Sequence, residues 1–156
     1  FLLELCEEMG IKYFLLLNKQ GHTRLSQYYD YIPMDQRVQM ESEIVRKCWV
    51  RNENQCCFFD YQDYKIVYRR YASLFFVLGV DKDENELAIL EFIHAVVEAL
   101  DVYFENVCEL DIMFNIEKAH FILEGMIANG KILETNKKNI LLPLQLIDEV
   151  ELGTKY

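Results

Sequence analysis

A chain of 156 residues that is 52% hydrophobic suits one domain with a single core and excludes a disordered segment. Its formal net charge of −10, from 26 Asp and Glu against 16 Lys and Arg, argues against generic nucleic-acid binding and against unaided adhesion to an anionic membrane. Both of those rely on clustered cations.

The opening residues 1–8 lack the basic start and the small-residue cleavage site of a signal peptide. Residues 11–17 form a nearly continuous apolar run ended by Asn18-Lys19-Gln20-Gly21, which predicts a buried strand and a hairpin turn. Residues 23–29 are the expected return strand. Pro33 then precedes a helix over 34–51, with Val38, Ile44, Val45, Cys48 and Trp49 as its apolar stripe. Three strands follow at 56–61, 64–69 and 71–80, the first two joined at Gln62-Asp63. The third is apolar on both faces, as a central strand covered on both sides should be.

A helix is predicted from after Asn85 to about Phe104. Its polar residues Glu91, His94, Glu98, Asp101 and Glu105 recur at spacings of three and four, so they share one narrow stripe. The remaining girth is apolar and requires cover from more than one side. That cover is either another helix of the same chain or a partner protein. Further helical patterns span 115–128, stopped by Asn129-Gly130, and 139–150, with Pro143 early in the second. The order β-β-α-β-β-β-α-α-α indicates one α/β (α+β) domain around an antiparallel sheet. No apolar run approaches the ~20 residues needed to span a bilayer.

Little in the chain points to catalysis. Cys6, Cys48, Cys56, Cys57 and Cys108 are odd in number and lack metal-ligand spacing, so reduced thiols fit better than a disulfide scaffold. Cys56, Cys57 and Cys108 lie among apolar residues and read as inert packing. His22, His94 and His120 have no Cys or His at ligand spacing. His94 with Glu91 and Glu98 is either a His–carboxylate cluster or a solvated stripe. Arg69-Arg70 reads as a solvated strand end. No phosphate-cradling glycine loop or nucleophile elbow occurs. Neither a cofactor nor a metal is expected, nor enzymatic activity.

Several blocks nevertheless resemble the clathrin-adaptor small-subunit (sigma) family: IKYFLLLNKQGHTRL at 11–25, YKIVYRRYASL at 64–74, EFIH at 91–94, VCELDIMFN at 107–115 and ET at 134–135. They cover nearly the whole chain in order. Within the family, SQYY at 26–29 and TNKKNILLPL at 135–144 are similar to the branch that serves the fourth adaptor complex. The resemblance implies a longin-like five-stranded antiparallel sheet flanked by helices, with extra C-terminal helices. It places the domain at residues 9–150, with 1–8 as an N-terminal extension and 151–156 as a tail. The implied partners are two large adaptin chains and one medium chain of a heterotetramer in vesicle-mediated transport. The implied location is cytoplasmic and peripheral, on trans-Golgi-network, endosomal or coated-vesicle membranes, reached indirectly.

Relatives bind acidic dileucine sorting signals on cargo tails. The residues that match that pocket are Ala72, Leu74, Val97, Asn106, Val107 and Ile112, with Arg24 matching the position near the acidic residue of the signal. On the expected strand Ala72 and Leu74 share one face. The same apolar residues also read as ordinary core. Two other identities stay open: a free longin-type regulator of a small GTPase or of membrane fusion, and an enzyme using His94 with Glu98.

Overall fold

The computed structural model describes residues 10–51 and 57–153. Five antiparallel strands form one sheet: β1 (Ile11–Asn18), β2 (Thr23–Tyr28), β3 (Phe58–Tyr61), β4 (Tyr64–Tyr71) and β5 (Leu74–Val80), in the order β2-β1-β5-β4-β3. Helix α1 (Met34–Val50) lies between β2 and β3 in the chain. After β5 come α2 (Glu86–Phe104), α3 (Glu109–Phe114) and α4 (Ile116–Met126). A two-stranded ribbon, β6 (Ile127–Ala128) and β7 (Lys131–Ile132), leads to α5 (Lys137–Gly153).

Side-chain alternation divides the sheet into two apolar faces. Tyr13, Leu15, Leu17, Ile66, Tyr68, Phe75 and Val77 pack with Met40, Ile44 and Cys48 of α1. Phe14, Leu16, Val67, Leu74, Phe76, Leu78 and Val80 pack on the other side, with α2, α4 and α5. Every residue of β5 is buried, which accounts for its unbroken apolar run. Helix α1 is strapped to β2 by Glu41, which accepts from Thr23 Oγ1 at 2.7 Å and from Tyr28 Oη at 2.6 Å.

Most of the wide apolar girth of α2 is covered within the chain. Ile89, Phe92, Ile93, Val96 and Leu100 share a cluster with Ala119, Ile122 and Leu123 of α4 and Ile140, Leu141 and Leu144 of α5. The second cover is thus largely intramolecular, and Leu87 and Val102 stay outside it, each more than half exposed. Asp148 of α5 fastens the three helices. It accepts from Tyr103 Oη of α2 and from Lys118 Nζ of α4, each at 2.8 Å. At the other end of α2 the Asn85 side chain accepts from Leu87 N at 3.0 Å and caps the helix. Buried Lys65 of β4 reaches the Glu84 carbonyl and, at 2.9 Å, Glu86.

Three local expectations are corrected, and one short helix is added to them. Tyr71 ends β4, and Ala72-Ser73 make the two-residue turn to β5, with Ala72 at φ +53°. Ala72 therefore does not share a strand face with Leu74. The short helix α3 was hidden because its six residues are too few to show a period. Asn129-Gly130 turns a ribbon rather than ending a helix, since Ile127 and Ile132 pair across it. Cys108 is exposed rather than packed, because it caps α3 from outside; Cys48 is buried and Cys57 partly so. Cys6 and Cys56 lie outside the described residues.

Candidate functional site

The matched residues gather where the β1–β2 hairpin, the β4–β5 turn and the α2–α3 connection meet. Asn18 closes β1, and its carboxamide oxygen accepts from Gln20 N at 3.0 Å and His22 N at 2.8 Å. This side-chain turn fixes the hairpin. Across the sheet Asn18 is the register partner of Leu74, the first residue of β5. Arg24 stands on β2. Its Nε donates to Glu109 Oε1 at 2.7 Å, and Asn18 Nδ2 donates to the same oxygen at 2.9 Å. These bonds, Asn18 first and Arg24 second, hold the Glu109 carboxyl below the usual carboxylate range.

Asp101 shapes the α2–α3 connection. Its backbone oxygen receives Asn106 N at 3.2 Å, and its carboxylate receives Val107 N at 3.0 Å. Glu105 and Asn106 are both left-handed there, at φ +53° and +73°. A non-glycine residue in that region costs roughly 1–2 kcal/mol, less for Asn. Cys108 then caps α3, with Asp111 Oδ2 accepting from Cys108 N at 2.9 Å. Glu109 is therefore the first helical residue of α3 and is aimed at the hairpin.

Four of the predicted residues, Leu74, Val97, Val107 and Ile112, belong to one apolar cluster and are each at most 5% exposed. Ala72 and Asn106 stand outside it, both exposed and both with positive φ. Arg24 is linked to the apolar group through Glu109 and Asn18, the register partner of Leu74. Sequence reasoning missed Asn18 and Glu109. The turn string after Asn18 and the block around Glu109 were visible, but nothing in one dimension links positions 91 residues apart.

Other features offer less. His94 and Glu98 form an i,i+4 pair at 2.9 Å, both about half exposed, and Lys137 Nζ also reaches Glu98 at 2.8 Å. This is the solvated stripe. A cleft of about 530 Å³ opens on the other face, between α1 and the β3–β4 turn, lined in part by Asp30, Glu43 and Asp63. Its rings already carry cations of the chain, with Lys12 5.6 Å from the Tyr64 centroid and Lys47 4.9 Å from that of Tyr61. It contains none of the matched residues. Among the described residues no group of three or more His, Cys, Asp or Glu is placed to hold a metal ion, and no helix is long and apolar enough to cross a membrane.

Known proteins agree in sequence and in fold. The chain is 63% identical over 141 residues to the AP-4 complex subunit sigma of Arabidopsis thaliana, covering 90% of this chain and 99% of that one. It is 58% identical over 143 residues to the AP-4 complex subunit sigma of Dictyostelium discoideum, covering 92% and 100%. With the AP-4 complex subunit sigma-1 of Homo sapiens it shares 52% over 140 residues, covering 90% and 97%. In three dimensions it is similar to a chain of a homology model of the full-length AP-3 complex in a stretched open conformation. That match has a TM-score of 0.72 and 28% identity, over 93% of this chain and 97% of that one. The family model for the clathrin adaptor complex small chain matches residues 10–151, and the chain belongs to that family.

Proposed function

We infer that this chain serves as the small subunit of an adaptor complex in vesicle-mediated transport, within a heterotetramer of two large chains and one medium chain. Its likeness to AP-4 sigma subunits along nearly its whole length supports the fourth complex. The observation that carries the assembly is the outer face of α5. Leu142, Leu146 and Val150 are each more than half exposed, and their spacing of four places them on one stripe. An apolar helix stripe next to a completed core marks a surface for another protein. Membrane attachment is then through the complex, on trans-Golgi-network or endosomal membranes, and the chain acts by binding rather than catalysis. That non-catalytic reading is supported by the solvated state of His94 and by burial, which pushes the Cys48 thiol up to about 12 and makes it a poor nucleophile.

The same reading includes cargo. The junction of β1, β5 and α3 takes an acidic dileucine signal, with Arg24 toward the acidic residue and Leu74, Val97, Val107 and Ile112 toward the leucines. The cross-strand pairing of Asn18 with Leu74 supports this, because it sets the polar and apolar parts side by side. Ala72 and Asn106 flank the apolar group, and the left-handed Glu105-Asn106 pair is the segment that shifts to admit the leucines. Strain held at such positions is characteristic of ligand clamps.

Co-expression of the four chains tests the assembly. Replacing Leu142 and Leu146 together by Asp should remove the large chain from the purified small chain by about ten-fold or more, since each buried Leu contributes roughly 1.5–3 kcal/mol. Undiminished recovery would overturn α5 as the docking face.

A further inference from the structure

The carboxylate at the centre of the site belongs to the protein itself. Asn18 Nδ2 and Arg24 Nε converge on one oxygen of Glu109, at 2.9 and 2.7 Å. Asn18 is 3% exposed. Its amide cannot turn away, because its oxygen already serves Gln20 N and His22 N. A buried amide N–H held in this way requires an acceptor, and a carboxylate is the acceptor that also neutralises the guanidinium. We propose that Asn18 and Arg24 form a carboxylate receptor, that Glu109 occupies it as an internal stand-in, and that the acidic side chain of a bound peptide engages it by displacing Glu109. This rests on the peptide-binding reading given above.

The geometry permits the exchange. The Arg24 and Glu109 side chains are 26% and 24% exposed, so a ligand can reach the pair. Release of Glu109 does not undo α3, whose first turn is held separately by the bond from Cys108 N to Asp111. The exchange leaves neither donor unsatisfied, because one carboxylate replaces another. It also confers selectivity: an amide or apolar residue at that peptide position cannot dislodge Glu109. Asn18 thereby becomes a binding residue that acts alongside Arg24.

The test uses the assembled heterotetramer and two fluorescent peptides, one with a Glu upstream of a Leu-Leu pair and one with Gln in its place. Glu109→Gln, which keeps the shape, and Glu109→Ala, which removes the competitor, should each bind the Glu peptide about three- to ten-fold more tightly than the natural chain. This is the gain expected when an occluded fraction is freed. Neither should gain on the Gln peptide. Glu117→Gln, at an exposed position at the start of α4 with no part in the site, controls for loss of one negative charge and should change affinity by less than about two-fold. Binding by the natural complex with no gain in the Glu109 variants would overturn the proposal, as would an equal gain from Glu117→Gln. If no complex binds either peptide, the peptide-binding reading itself fails and the proposal falls with it.

Discussion

Gly79 has no side chain because Tyr13 occupies that space. A Cβ there would lie 2.5 Å from the Tyr13 ring, and the ring is fixed by the 3.0 Å bond between the Tyr13 and Tyr64 hydroxyls. Gly79→Ala should lower stability by about 1–3 kcal/mol, the usual penalty for overpacking; an unchanged denaturation midpoint would show that the ring yields. Ala72 presents the opposite case, a side chain where glycine fits better. Ala72→Gly should raise stability slightly, by about 0.5–1 kcal/mol, and a lower denaturation midpoint would show that the turn gains nothing from glycine. The cysteines divide in the same local way. Exposed Cys108 should be alkylated quickly at pH 8, whereas Cys48, buried and with its thiol raised to about 12, should react only on unfolding. Mass spectrometry of the labelled peptides checks both. None of these positions could be ranked from sequence, because each depends on a neighbour brought close by the fold.

Among the elements, long periodic patterns were readable and short ones were not. The strand β1, the β1–β2 and β3–β4 turns and helices α1 and α2 follow from apolar runs, turn residues and helical spacing. Helix α3 and the β6–β7 ribbon escaped, since six residues or two provide no period. The cover for α2 was the decisive ambiguity, and it is supplied by α4 and α5 of the same chain. Apolar residues are left outward on α5 as well, at Leu142, Leu146 and Val150. That helix carries Pro143 in its interior, which removes one backbone bond, so its docking leans on side chains such as Asp148. Asp148→Asn should weaken the bonds from Lys118 and Tyr103 and speed amide exchange in α5 by about two- to five-fold, with the sheet unaffected. Equal protection in both proteins would show that apolar packing alone holds α5.

For the molecule as a whole, charge and assembly dominate. Glu43, Glu86, Glu98, Glu109, Glu134 and Asp148 all have carboxyls held below the usual range by hydrogen bonds to donors nearby. A carboxyl depressed in the folded state stabilises it above the unfolded pKa, and that contribution is lost as pH falls through the folded value. Glu84, raised by burial, runs the other way but is one group against six. Thermal stability should therefore decline as pH falls below the ordinary carboxylate range, and a midpoint that rises on acidification would contradict these pairings. The sheet and its flanking helices were legible from the family blocks. The candidate site was half legible: its apolar members were named from sequence, whereas Asn18 and Glu109 emerge only when β1 and α3 are seen to touch.

The central claim is that this chain is one of four subunits. The measurement that tests it most directly is affinity purification of the tagged chain from its own cells, with mass spectrometry to quantify stoichiometric partners. Two large chains and one medium chain in equal amounts with it are the predicted result. Recovery of the chain alone, soluble and without such partners, would contradict the account.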